Sequence, residues 1–198
     1  MYDLCRKPIP SFVLKTPPAI EPIGLDEVKA HSRIDLTEDD LLIQGQILAV
    51  RQMIERIYDI AIITQTWTMY LDWLPYDTIE VFKRPLQSVT SVKYIDSAGV
   101  TQTIANNLYM VDLNSRPPRI VRVQDASWPS VQTRPSAVAV EFVAGYGDKR
   151  QDVPQNLISY LQIKVADFYE NRESYTEAKI QGLDFVDNLI SSERLFSL

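Results

Sequence analysis

Between Val138 and Glu173 the chain runs from a strand pattern through a glycine corner into a helix pattern with no linker between them. Val138, Val140 and Phe142 alternate with Ala139, Glu141 and Val143, the period of a half-buried strand. Gly145 and Gly147 flank Tyr146 and suit a backbone that turns through positive φ. Asp152 offers a side-chain cap, and Pro154 sits where a missing N–H costs nothing. Leu157, Leu161, Val165 and Phe168, with Ile158 and Tyr169 beside them, then form one apolar helical face. The strand-to-helix corner of Gly145, Tyr146, Gly147 and Pro154 therefore joins a β region to a helical one.

The rest of the pattern fixes the class. Leu25 to Ser32 reads as a short helix broken by Asp35-Leu36-Thr37. Thr37 is the expected cap of a second helix running to about Tyr58, with Asp39 and Asp40 in its first turn, where carboxylates suit the helix dipole. Ile43, Ile47, Val50, Ile54, Ile57 and Ala61 form its apolar stripe, and Arg51, Glu55 and Arg56 lie on or beside its polar flank. Short alternating runs follow: Trp67 to Trp73, Ile79 to Phe82, Val89 to Ile95, Val100 to Ile104, Tyr109 to Leu113, Arg119 to Val123 and Val138 to Val143. Asp96-Ser97-Ala98-Gly99 reads as a hairpin turn. Short strands with tight turns pair antiparallel, and the long helices lie before and after them, so the expected class is α+β: N-terminal helices, a central antiparallel β-rich insertion, a long C-terminal helix and an extended tail.

Three parts follow from this. Residues 1–22, with Pro8, Pro10, Pro17, Pro18 and Pro22, read as a proline-rich arm. Residues 23–175 hold the helices, within 25–61 and 154–172, and the β-rich region 63–143. Residues 176–198 form a tail whose Leu183, Phe185, Val186, Leu189, Ile190, Leu195, Phe196 and Leu198 are apolar with few charges between them; it either folds back on its own domain or docks on a partner.

Composition excludes several functions. The formal charge of −6 lacks the basic footprint of a DNA-coating protein. Cys5 and His31 are the single cysteine and histidine, so neither an internal disulfide nor a Cys- or His-rich metal site is expected. No G-x-S-x-G elbow or Walker lysine occurs, and Gly145-Tyr146-Gly147 lacks the third glycine of a dinucleotide fingerprint. Asp39 with Asp40, and Asp148 with Asp152, are explained by helix starts. Trp67, Trp73 and Trp128 read as packing residues, and Arg116, Arg119 and Arg122 as solvating charge. No catalytic residue, metal or cofactor is expected, and the N-terminal residues read as neither a signal peptide nor a membrane anchor.

Against that background the motifs acquire a family likeness. LDEVKAHSRID, followed by DDLLIQGQILAVRQMIERIYDIAIITQTWTMYLD, resembles the first helices and first strand of phage head-to-tail connector (adaptor) proteins. RPLQSVTSVKYIDSAG is similar to the next part of that family, as are Tyr109-x-Val111-Asp112, Pro118-Arg119-Ile120, Trp128-Pro129 and Arg134-Pro135. Phe142 to Asp148, Val153-Pro154 and Tyr169 to Glu173 complete a match that runs from about Gly24 to Ser174.

The resemblance implies a homo-oligomeric ring, commonly of twelve subunits, assembled in the host cytoplasm and placed in the virion neck beneath the portal. Such a ring extends the DNA channel and presents a platform for stopper or tail proteins. It implies a C-terminal segment that reaches the portal, and so a docking role for Leu183, Phe185, Leu189, Ile190, Leu195, Phe196 and Leu198. Double-stranded DNA would pass without sequence-specific binding, and no membrane is involved. An acidic or mixed lumen suits that passage, because phosphates spaced about 1.7 Å apart along the duplex axis are repelled by it. Glu27, Glu38, Asp39, Asp40, Glu55 and Glu170 are the candidates to line it. The expected inter-subunit contacts come from the polar flanks of the two long helices. The alternative reading is a stopper or tail-completion protein on a similar scaffold, and behind it a small hydrolase with a carboxylate site.

Overall fold

The computed structural model describes residues 8–170 and 188–193, and it divides the chain into two compact units. One contains the residues up to Pro17 together with Thr64–Gly145; the other contains Pro18–Ile63 and the residues from Tyr146 on. The α+β class holds, with helices and antiparallel sheets both present.

The first unit is built on a five-stranded antiparallel sheet. Its strands are β1 (Ser11–Thr16), β2 (Gln65–Leu71), β4 (Leu86–Ile95), β5 (Thr101–Thr103) and β8 (Val138–Ala144), in the order β1-β2-β8-β4-β5. The last strand in sequence is thus the central one. Val138, Val140, Phe142 and Ala144 of β8 are fully buried while the residues between them are half-buried, as the alternation requires. Met69 and Leu71 of β2 and Val92 of β4 share this core. A separate three-stranded sheet orders β3 (Thr78–Glu80), β7 (Arg119–Arg122) and β6 (Tyr109–Asp112) as β3-β7-β6.

Several expectations shift here. The proline-rich segment contributes an edge strand, β1, whose Phe12 ring meets Phe142 edge-on at 6.4 Å between centroids. Prolines 10 and 17 bracket Ser11–Thr16 without entering it, which is where a sheet edge tolerates them. β3 ends at Glu80 rather than Phe82, and β2 ends before Trp73. The Asp96–Gly99 turn forms as expected, with Gly99 at φ 81° and the Asp96 carboxylate accepting the N–H groups of Ala98 and Val100, each at 2.9 Å.

The second unit packs α1 (Leu25–Ser32), α2 (Asp40–Ile57) and α3 (Gln155–Glu170) around one core. Ile43, Ile47, Val50 and Ile54 of α2 meet Leu157, Tyr160, Leu161 and Val165 of α3 in it, with Ile23, Val28, Ile60, Ile62 and Ile63. The stripe frays at the helix ends: Ile57 is 63% exposed and Phe168 46%. Thr37 is not the cap of α2. Its carbonyl accepts the Asp40 N–H at 3.2 Å in a preceding turn, and Asp39 takes the cap position.

The corner from Gly145 to Pro154 is as compact as its glycines suggest. Gly145 has φ 141°, inside the region that disfavours side chains. Gly147 is required for space instead, because a Cβ there would overlap the Asp152 side chain. That carboxylate caps the short turn before the helix, accepting the Lys149 N–H at 3.0 Å, rather than α3 itself. The Pro154 carbonyl starts α3, accepting the N–H groups of Leu157 at 3.0 Å and Ile158 at 3.2 Å.

Arg51 and Glu55 are not on a solvated flank. Both are buried, at 5% and 6% exposure. The Arg51 guanidinium donates to Glu55 at 2.7 Å and to both oxygens of Glu21, at 2.7 and 3.2 Å. The second Glu55 oxygen accepts the Ile62 N–H at 2.9 Å. Removing one member strands a buried charge, so Glu55→Ala is expected to cost about 3–5 kcal/mol of unfolding free energy. Glu21→Ala removes a partner that is one-third exposed and is expected to cost about 1 kcal/mol. Chemical denaturation of the three proteins checks the order; equal losses would contradict the buried network.

Candidate functional site

Residue types able to carry chemistry do not converge among the described residues. No group of three or more metal-ligating side chains occurs among the described residues. His31 is exposed on α1, away from any such group. A depression of 430 Å³ in the sheet-rich unit is lined by Asp72, Trp73 and the segment from Val131 to Pro135, and another of 220 Å³ lies between Pro8–Pro10 and the Thr78–Phe82 region. The first carries Asp72 and Arg134 as its ionisable side chains and the second carries Glu80, so neither pairs two carboxylates or a nucleophile with a base.

Two arginines of the basic cluster are paired with aspartates of their own unit. Arg119 donates to Asp112 at 3.0 Å across the β6–β7 pair. Arg122 donates to Asp77 at 2.6 Å and to the Ala126 carbonyl, and its guanidinium lies 5.5 Å from the centre of the Tyr76 ring. Arg150 donates to the Glu21 carbonyl at 3.1 Å. These cations hold loops and strands of their own units. Trp67 likewise packs within its sheet, with the Lys83 ammonium 5.1 Å above its ring.

The six acidic candidates separate by environment. Glu55 is buried against Arg51 and is withdrawn from any solvent-facing wall. Asp40 accepts from Lys29 at 2.7 Å, and Asp39 accepts the Tyr169 hydroxyl at 2.7 Å, so both tie helices together. Glu27 accepts the Gly24 N–H at 2.5 Å and lies 3.6 Å from Arg150. Glu38 and Glu170 are exposed. The sequence placed all six on helix ends and faces; it held no sign of which had partners, because those partners lie up to 130 residues away.

The tail divides in the same way. Ile190 is fully buried in the helical core, Leu189 packs beside it, and the Asn156 side chain donates to the Leu189 carbonyl at 2.7 Å. These two residues serve their own domain, which corrects their assignment to a docking surface. Leu183, Phe185, Leu195, Phe196 and Leu198 lie outside the described residues.

The chain shares its fold with solved proteins. It is similar to a chain of "Virion of native gene transfer agent (GTA) particle", with TM-score 0.77 and 22% identity over 94% of this chain and 96% of that one. The fold is shared. It is also similar to a chain of "Neck of empty GTA particle computed with C6 symmetry", with TM-score 0.76 and 22% identity over 95% of this chain and 97% of the other. A chain of "Neck of native GTA particle computed with C12 symmetry" matches with TM-score 0.67 and 23% identity over 94% and 97%. No family model matches the chain, and no curated protein matches it.

Two carboxylates in the sheet-rich unit have depressed pKa values. The Val100 N–H and the Gln102 amide hold Asp96 below its ordinary 3.8, and the Arg119 hydrogen bond and the Asn114 N–H do the same for Asp112. A depressed folded-state pKa contributes stability that is present above the unfolded value and lost as pH falls through the folded one. Acidification below the ordinary value of 3.8 is therefore expected to loosen the Asp96 turn and the β6–β7 pair. Carboxylate NMR titration checks this, and midpoints at or above the ordinary aspartate value would contradict it.

Proposed function

We propose that the protein is a structural component of the neck of a phage-like particle, and specifically a ring-forming connector beneath the portal. The observation that carries this reading is the extent of the fold match. Nearly the whole chain superposes on nearly the whole of particle and neck proteins, so the likeness is to a complete subunit and not to a shared motif. The motif order from Gly24 to Ser174 supports the same reading independently, and one matched neck carries twelvefold symmetry in its description. The function is mechanical: subunits close into a ring by meeting through two different patches, and the ring holds the channel open between head and tail.

In this reading the ring body comprises 23–175 together with β1, an edge strand of the five-stranded sheet, and the segment at Ile190, and the remaining residues of 1–22 and 176–198 serve as extensions. Portal docking falls to the tail residues Leu183, Phe185, Leu195, Phe196 and Leu198, since Leu189 and Ile190 are committed to the core. Purified protein, alone and mixed with the particle's portal protein, is expected to give a ring of twelve copies by native mass measurement. Truncation after Glu193 is expected to leave the fold intact and to weaken portal attachment. A chain that stays monomeric and ignores the portal overturns the connector reading; unchanged attachment by the truncated chain overturns the role of the last residues. Location on the tail side of the ring, away from the portal, would favour a stopper instead.

The channel reading rests on charge. The protein carries −6 overall, and the basic residues most concentrated in sequence are engaged by aspartates of their own unit. The ring is therefore expected to leave double-stranded DNA free in a mobility-shift experiment near physiological salt, where a basic lumen would retain it. Tight, salt-sensitive retention would contradict a conduit of this kind.

A further inference from the structure

Leu41 to Val50, the first ten residues of α2 after Asp40, carry no charged side chain. One side of that stretch, Ile43, Ile47 and Val50, enters the core among the described residues. At about 100° per residue, Leu41, Gly45, Leu48 and Gln52 cluster on the opposite side. All four are exposed, Leu41 by 83% and Leu48 by 41%. A helix that packs on its core by one face ordinarily carries charged and polar residues on the other, where this stretch has two leucines, a glycine and no charge before Arg51.

Gly45 is a second and independent sign. Glycine weakens a helix interior relative to alanine. A Cβ at this position meets nothing within 4 Å, so among the described residues no neighbour calls for glycine. Close approach by a helix from outside the chain does call for it.

We infer that the outer face of α2 packs against a helix of a second copy of this chain. The inference rests on the ring reading and names the contact that closes the ring. The same chain supplies a suitable second patch. On α3, Ser159, Gln162, Ile163 and Ala166, all half-buried in the single subunit, lie on the side opposite the buried row of Leu157, Leu161 and Val165, and no charge occurs from Gln155 to Ile163. Each of the two faces points away from the core that α2 and α3 share. Seating α2 of one copy on α3 of the next therefore uses each patch once and repeats head to tail, as a closed ring requires. DNA is a poor occupant, because the face offers no cation before Arg51, which is buried.

Four variants of the full chain test this, with mass and sedimentation measured alone and with the portal protein, and with helix content and melting followed in parallel. Gly45→Ala is expected to raise the melting temperature of the isolated chain by about 2–4 °C, since it improves helix propensity in open space. It is expected at the same time to weaken self-association by about tenfold, the opposite sign from its effect on folding. Gly45→Trp and Leu48→Glu are expected to abolish the ring while keeping wild-type helix content. In a Cys5→Ser background, Gly45→Cys with Ala166→Cys is expected to give a ladder of disulfide-linked copies. Stable variants that assemble like the wild type, or a Gly45→Ala chain that gains stability and assembles normally, overturn the inference and leave the ring standing. Variants that form rings but lose the portal overturn it in favour of the portal as occupant. A wild-type chain that never self-associates overturns the ring reading itself.

Discussion

The helical unit depends on a guanidinium held between two carboxylates. Arg51 sits near the middle of α2 with Glu55 one turn along and Glu21 reaching in from the segment before α1. Burial pulls the Arg51 pKa down, but the Glu21 hydrogen bond and the charges of Glu55 and Glu21 outweigh it and hold the group above its ordinary value. The cation therefore stays charged and keeps both carboxylates in place. Glu55 then accepts the Ile62 N–H, and the Ile62 carbonyl accepts the Tyr146 N–H at 3.2 Å. One polar cluster thus fixes the segment entering the unit, the segment leaving α2 and the point where the chain returns. The apolar core supplies most of the stabilisation, while the ion network selects which segments lie together.

In the sheet-rich unit, a residue with nowhere to go in the ladder does comparable work. The pairing of β4 with β8 slips between Leu86 and Ser88, leaving Gln87 as the extra residue. Its amide donates to the Gly145 carbonyl and to the Thr64 hydroxyl, both at 2.9 Å. Thr64 and Gly145 are the residues at which the chain enters and leaves this unit. A bulge therefore ties the two ends of the unit together, where the flanking strands β2 and β8 run side by side from Gln65 and Ala144.

What could be read in advance and what could not follow from the range of the interactions. The alternation in β8, the Ile43–Ile47–Val50–Ile54 stripe and the Asp96 turn are encoded by residues within a few positions of one another, and all three form. Ile57 and Phe168 continue the helical period but lie at helix ends beyond the reach of the shared core, so periodicity alone overstates their burial. Glu55 has the composition of a polar flank; its burial is supported by Arg51 and the Ile62 N–H, and Arg51 is held in turn by Glu21 from 30 residues earlier. The same limit applies to Ile190, whose place in the core is secured by a hydrogen bond from Asn156 to the residue before it, 33 positions away. β1 was obscured by its flanking prolines, which mark the limits of a strand as readily as they mark an arm.

The outer face of α2 gives the sequence pattern its remaining meaning. A single amphipathic helix needs charge on the side it shows to water, yet α2 turns Arg51 and Glu55 inward and keeps Arg56 exposed at its end, while Leu41 and Leu48 face outward. For an isolated subunit that arrangement is unfavourable twice, once in buried charge and once in exposed apolar area. In the proposed ring the second cost disappears on association, and Gly45 turns from a weak point of the helix into the place where a neighbour approaches most closely. The inward charge network then has a further consequence: it holds α2 in one orientation about its axis, so that the uncharged face is presented at a fixed angle. A ring with a defined number of subunits requires such a fixed angle between its two contact faces, because closure fails if the rotation from one copy to the next is free to vary.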